Sequence, residues 1–111
     1  MAGDEERIAK TESLFRDVNE RIAESAERFD ADEATFVCEC ADRECTERVH
    51  ASLSEYEAVR ADGSRFLLAH GHEDRRIERV VERRRGFAVV EKFNAVVARI
   101  VRRLDSRTDT A

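Results

Sequence analysis

Residues 36–45 read FVCECADREC and contain all three cysteines of the 111-residue chain. Just before them, the apolar residues change from helical spacing to a short run of β-forming residues, which is typical of a strand. On a strand, Cys38 and Cys40 project from the same face, and a turn through residues 41–44 can bring Cys45 beside them. The stretch therefore predicts the first strand of a sheet and a cluster of three thiols.

The segment before this strand has the pattern of a long amphipathic helix from about Asp4 to Phe29. Its apolar stripe consists of residues spaced by seven, with two more on the same side: Ile8, Phe15, Ile22 and Phe29, with Val18 and Ala26. Thr11 and Ser25 occupy the alternate heptad positions, so a coiled coil with a second copy would be weak. We therefore expect the stripe to pack on its own domain, and the chain to be a monomer or a homodimer.

The rest of the chain alternates short strands and helices. Ser54 and Glu57 have the spacing of a capping box. The stretch HEDRRIERVVERRRG has acids first, arginines last and a terminal Gly86, which favours a helix; a pair of strands is the alternative. The predicted elements after the first strand are a strand in 48–53, a helix at 54–61, a strand at 65–70, a helix at 72–86, a strand at 87–93 and a helix at 94–105. This succession predicts an α+β fold.

Composition is consistent with one small domain. Although 41% of the residues are charged, the apolar residues fall in periodic groups, which favours a folded chain over a disordered one. We divide it into an N-terminal helix (1–30), an α/β body (34–93), a C-terminal helix (94–105) and a disordered tail (106–111). The sequence lacks a membrane-spanning run and a signal-peptide pattern, so we expect a cytoplasmic protein without lasting disulfides.

Three thiolates suit Zn²⁺, which takes four ligands in structural sites, so a fourth donor is needed. The histidines that could supply it are His50, His70 and His72. Two alternatives remain: buried structural thiols, with Glu39 between Cys38 and Cys40 facing water, or a thiol-dependent enzyme that uses His72 and Glu73. A zinc ion with four protein ligands has no open position for water, which argues against a hydrolase.

Several motifs together resemble a family of small bacterial proteins without an established activity. They are LFRDVNERI, FVCEC with Cys45 after it, EYEAVRAD, GHE, and VVE followed by VVEK, and they span roughly Ser13 to Arg107. The resemblance implies that Cys38, Cys40, Cys45 and His72 are the recurring site residues. The family has proline where this chain has His70 and Gly63, so the resemblance favours His72 over His70 as the fourth zinc ligand.

The charge is distributed unevenly along the chain. Residues 1–74 carry 20 acidic and nine basic residues, and residues 75–111 carry five acidic and 11 basic residues. We expect a zinc-stabilised interaction or regulatory module with a protein partner. The alternative is a nucleic-acid-binding module that uses an arginine-rich helix at 75–85, through Arg75, Arg76, Arg79, Arg83, Arg84 and Arg85. The net charge of −5 and the glutamates within that segment argue against it.

Overall fold

A computed structural model describes residues 2–107. Within this range three helices and two antiparallel sheets form one α+β domain, which confirms the predicted fold class. In chain order the elements are α1 (Ala2–Arg28), β1 (Glu33–Val37), β2 (Arg48–Ser52), α2 (Leu53–Arg60), β3 (Arg65–Leu68), β4 (Glu78–Arg83), β5 (Ala88–Lys92) and α3 (Ala95–Arg103). One sheet pairs β1 with β2, and the other has the order β3-β5-β4.

Helix α1 ends in a Schellman motif. Asp30 has a φ of 57°, in the left-handed region, and its amide donates to the Glu27 carbonyl at 3.1 Å. The next amide, of Ala31, donates to the Ala26 carbonyl at 2.9 Å. These bonds satisfy carbonyls that the helix end leaves without intrahelical partners, and they turn the chain back toward β1.

The prediction of which face of α1 is buried was wrong. Phe29 is 76% exposed and Val18 is 39% exposed, while Phe15 and Ile22 are only partly buried. The inner face combines apolar and polar residues. Apart from the adjacent Ile8 and Ala9, they lie three or four positions apart: Ile8, Ala9, Glu12, Arg16, Asn19 and Ala23. These polar side chains find partners on other elements, so ion pairs and hydrogen bonds, together with Ile8, Ala9 and Ala23, position α1.

Arg16 shows how such a polar contact replaces apolar packing. Its guanidinium donates to the carbonyls of Gly63 and Val101, both at 2.7 Å, and its Cζ atom lies 4.3 Å from the centroid of the Phe66 ring. Because a guanidinium can donate in its plane and stack on an aromatic face, it is buried without losing its hydrogen bonds. Arg16 thereby connects α1 to α3 and to the turn before β3.

The larger sheet separates two apolar clusters. Phe66 and Leu68 of β3 and Val90 of β5 pack in one cluster with Cys38, Cys40 and α3, whereas Leu67 and Val89 pack in the other with Phe36, Val49 and Tyr56. Alternate residues of a strand point to opposite faces, so both faces of β3 and β5 are buried. The short thiol-bearing segment lies at the edge of the first cluster.

Helix α2 has a capping box two residues earlier than predicted. Ser52 accepts from the Glu55 amide at 3.0 Å, and the Glu55 side chain accepts from the Ser52 amide at 2.8 Å. Ser54 and Glu57 have the same spacing, so the sequence signal was ambiguous by half a turn. Helix α2 consequently begins directly after β2.

The predicted helix at 72–86 is wrong, because the described structure has strand β4 in its place. Glu78 pairs with Lys92, Arg79 with Glu91 and Val80 with Val90 of β5. Cross-strand pairs of opposite charge and of β-branched residues stabilise this strand, and outweigh the helical charge pattern. A β-bulge between Val80 and Glu82 interrupts the pairing.

Helix α3 confirms the predicted C-terminal helix. Its N-cap is Asn94, whose side chain accepts from the Val97 amide at 2.9 Å. Beyond the helix, Arg107 forms ion pairs with Glu20 at 2.6 Å and Glu57 at 2.8 Å. The rest of the predicted tail, residues 108–111, lies outside the described residues. Among the described helices, none is long and apolar enough to cross a membrane.

Candidate metal centre

The cysteine segment directly follows β1. Hydrogen bonds to the residue before β2 and to α1 hold its first residues in place. The Cys38 amide donates to the Glu47 carbonyl at 3.1 Å, and the Asn19 side chain of α1 bonds both the amide and the carbonyl of Val37, each at 2.8 Å. Cys38 and Cys40 are buried, at 1% and 2% exposure. Both sulfurs are thus held at the edge of the first apolar cluster.

Glu39, between these two cysteines, does not face water. It is completely buried, its Oε1 accepts from the Leu67 amide at 2.9 Å, and its Oε2 accepts from Asn19 at 2.7 Å. Burial raises the pKa of this carboxyl, against the opposing effect of those hydrogen bonds. Its position links the segment after β1 to β3, so the CEC tripeptide connects the two sheets.

The second half of the cluster comes from a turn after β3. Gly71 has a φ of 83°, which favours glycine, and the His72 amide donates to the Ala69 carbonyl at 3.2 Å. This turn directs the His72 ring back toward the cysteines. Its Nδ1 lies 3.7 Å from the Cys38 sulfur and 3.5 Å from the Cys45 sulfur.

One ligand atom from each of Cys38, Cys40, Cys45 and His72 lies within 4.8 Å of the other three. In tetrahedral zinc sites, bonds of about 2.3 Å to sulfur and about 2.0 to 2.1 Å to nitrogen place a sulfur about 3.6 Å from the nitrogen. The two sulfur to nitrogen distances given above agree with this value. The structure therefore brings together all four residues in an arrangement that can hold one tetrahedral metal ion.

The surroundings affect the three thiols differently. The Ala69 amide donates to the Cys38 sulfur at 3.2 Å, and such a hydrogen bond would support a thiolate that binds a metal. Hydrogen bonding from Cys38 lowers the pKa of Cys40 to about 5, and the same bond raises the pKa of Cys38. A negative charge is therefore favoured at the Cys40 sulfur, whereas burial raises the pKa of Cys45.

The other two histidines lie elsewhere. The His70 ring is hydrogen-bonded through Nε2 to the Arg84 carbonyl at 2.8 Å, and His50 of β2 is 3.2 Å from the Thr35 hydroxyl. Gly86 passes so close to β2 that a Cβ atom there would lie 2.8 Å from the His50 carbonyl oxygen. Neither histidine joins the cluster, and the geometry agrees with the choice of His72.

Three charged side chains form a buried group next to the cluster. No motif in the sequence indicated this group, apart from the spacing of polar residues along α1. The Lys92 ammonium contacts the carboxylates of Glu78 and, at 2.7 Å, Glu12, and all three side chains are fully buried. The other oxygen of Glu78 accepts from the Asp74 amide at 2.8 Å, two residues after His72. This group thus supports the loop that carries the histidine.

Burial raises the pKa of Glu12 to about 8; Lys92 opposes that increase, and the neighbouring Glu78 adds to it. One ammonium faces two carboxylates in a site without water access, so one carboxylate keeps its proton at neutral pH. Within the described residues, Oε2 of Glu12 has no hydrogen-bond partner.

The arginines predicted to form one helix face are instead on β4 and its flanking turns. Four of them form ion pairs: Arg75 with Glu73, Arg76 with Asp74, Arg79 with Glu91, and Arg84 with Glu82. The described residues include no hydrogen bond between Glu73 and the His72 ring.

Comparison with known proteins gave no match: no family model, no curated protein and no solved structure is similar to this chain. The case for a site therefore depends on the geometry of the four side chains.

Proposed function

We propose that this chain is a zinc-stabilised interaction module in which Cys38, Cys40, Cys45 and His72 bind one zinc ion. The observation that supports it is that three sulfurs and one imidazole nitrogen lie within 4.8 Å of one another. They come from distant segments of the chain, since Cys38 and His72 are 34 residues apart. Three soft thiolates and one imidazole form a donor set that zinc prefers.

Four protein ligands fill the coordination of zinc, so the ion's role would be structural. Its ligands gather only in the native state, and metal-binding free energy then becomes folding free energy. The ion would join the segment after β1 to the turn after β3. A domain of this length has a modest apolar core, and the inner face of α1 adds several buried charges to it. The zinc link would supply part of the stability that so small an apolar core does not provide.

We propose that this domain recognises a protein partner. The exposed surface is rich in charged side chains, and a closed metal site leaves them as the groups available for contact.

Elemental analysis of protein purified without added metal or chelator tests the site. We expect one zinc per chain in the wild type, loss of zinc in Cys40→Ser and His72→Ala, and retention in His70→Ala and His50→Ala. Because a hydroxyl is a poor replacement for thiolate, Cys40→Ser should also lower the Tm by more than about 5 °C.

His72→Ala would also lose zinc if it failed to fold, so His72→Cys is its matched control. It keeps four ligands for zinc and should retain the metal that His72→Ala loses. Titration of reduced, metal-free protein with Co²⁺ should give the absorption spectrum of a tetrahedral thiolate site. A metal-free wild type whose Tm is unchanged by chelator would show that the cluster consists of buried thiols.

A further inference from the structure

A groove with a volume of about 330 Å³ lies between β4 and the loop that carries His72. Arg75 lines it from the loop, and Arg79 and Arg83 line it from β4. Val80 and Phe93 supply its apolar surface, and Phe93 is 54% exposed. Three guanidinium groups and an exposed aromatic ring thus surround one concave surface.

The arginines of this groove have few acidic neighbours of their own. The Arg75 side chain is 90% exposed and lies 4.0 Å from its nearest ion-pair partner, Glu73. Arg79 is 67% exposed and lies 3.5 Å from Glu91, which already pairs with Arg65 at 3.0 Å. Exposed pairs at such distances contribute little, so these guanidiniums remain available to a ligand.

The remaining charges increase this imbalance. Arg83 forms no ion pair within residues 2–107, the part of the chain that the structure describes. Glu78, which also lines the groove, is buried and pairs with Lys92. The groove therefore has unneutralised positive charge, although the protein as a whole is acidic.

The metal cluster determines the position of one wall. Arg75 follows His72 by three residues, and the Asp74 amide between them is hydrogen-bonded to Glu78. An ion bound by His72 would fix this loop relative to β4. Partner binding at the groove would then depend on the metal.

We propose that this groove binds an acidic segment of a partner protein, in which an apolar side chain packs on Phe93 and Val80 while flanking carboxylates pair with the arginines. This inference rests on the proposed function, because it takes the partner to be a protein. Carboxylates suit guanidinium groups, which bind them through two parallel hydrogen bonds.

The groove suits a short acidic peptide better than a nucleic acid. A single strand is usually bound along a continuous basic track with several aromatic rings for stacking. Here one exposed ring lies in the groove, and Glu73 lines it together with the arginines. One ring cannot stack several bases, whereas a peptide needs only one apolar side chain to pack on Phe93.

Fluorescence anisotropy with a labelled peptide of sequence Glu-Asp-Phe-Glu-Asp tests the proposal on the intact protein. We expect saturable binding with a Kd below about 1 mM. The Arg75→Glu, Arg83→Glu double variant should bind at least tenfold more weakly, and Phe93→Ser should also weaken binding. Arg99→Glu reverses an exposed arginine on α3, outside the groove, and should change the affinity less than twofold.

The controls separate this inference from the metal proposal. Zinc content and Tm should be unchanged in the groove variants. If zinc-loaded protein does not bind the peptide, or if all variants bind it equally, the groove proposal is wrong and the zinc proposal stands. Peptide binding by wild type that is purified without zinc would support the groove, and it would contradict both the zinc site and the dependence of the groove on the metal. Tighter groove-dependent binding of a single-stranded oligonucleotide would overturn the choice of partner.

Discussion

Replacing Glu12 with glutamine should stabilise this protein, and the gain should increase with pH. The carboxyl is fully buried beside Lys92 and Glu78, and its pKa is raised from 4.5 to about 8. Between these two values the unfolded chain releases a proton that the folded chain keeps, so stability decreases as pH rises. The slope is about 1.4 kcal/mol per pH unit, and the accumulated cost at pH 7 is about 3 kcal/mol.

Glutamine cannot ionise, so Glu12→Gln removes this slope while its amide oxygen can still accept from Lys92. We expect the difference in the free energy of unfolding between variant and wild type to widen by about 2 kcal/mol from about pH 6 to about pH 8. Urea unfolding, followed by circular dichroism at several pH values, measures it. Other titrating groups, including the thiols, are common to both proteins and cancel in the difference.

Glu24→Gln is the control, because it removes the same charge from an exposed position of α1. Its effect should be small and independent of pH. A Glu12→Gln variant that is destabilised equally at every pH would refute the reasoning. It would mean that Glu12 is ionised in the folded state and that Lys92 fully compensates its charge.

Three further results are expected. Asp105→Ala should cost about 2 kcal/mol in urea unfolding, because it removes the nearer of the two carboxylates that pair with the fully buried Arg60, at 2.5 Å, and leaves Glu20 at 3.4 Å. Asp4→Ala, which breaks an exposed pair, should cost less than about 0.5 kcal/mol. Gly71→Ala should lower the Tm and the zinc affinity, since the strain of a positive φ costs about 1 kcal/mol; unchanged Co²⁺ titration would contradict this. Chelator should lower the Tm of the wild type but not of a metal-free Cys40→Ser variant, as a thermal melt would show.

The sequence predicted the three helices and four of the five strands of the described structure, all except β4, because each of them has a clear local pattern of residues. The candidate site could also be predicted, because cysteine spacing and the choice among three histidines restrict it strongly. His72 was favoured by resemblance, and the structure gives a physical reason: the turn at Gly71 directs it inward, while His70 points to the Arg84 carbonyl.

Strand β4 shows where local patterns fail. Its acids and arginines have the order of a helix with a favourable dipole, yet Glu78 and Arg79 face Lys92 and Glu91 on β5. These partners are farther apart than the three- and four-residue spacings of a helix, since Glu78 and Lys92 are separated by 14 residues, so a search for helical periodicity does not detect them. Tertiary contacts therefore overrode the local preference.

The inner face of α1 could not be predicted for a related reason. Apolar residues are the usual sign of a buried face, but here Glu12, Arg16 and Asn19 are fully buried. Each is buried because a specific partner elsewhere satisfies it: Lys92, the Val101 carbonyl and Glu39. A pattern of hydrophobicity carries no information about such pairs.

The contacts of α1 also have a consequence for biosynthesis. In the order of the chain α1 precedes the other elements, but its buried side chains bind Lys92 and Val101, which come much later; Arg16 and Val101 are 85 residues apart. The middle strand of the larger sheet, β5, also comes after both of its neighbours. Neither these contacts of α1 nor the larger sheet can form until β5 has been made. We therefore expect nascent chains arrested before β5 to be sensitive to protease and to be bound by chaperones, with native structure forming late and cooperatively.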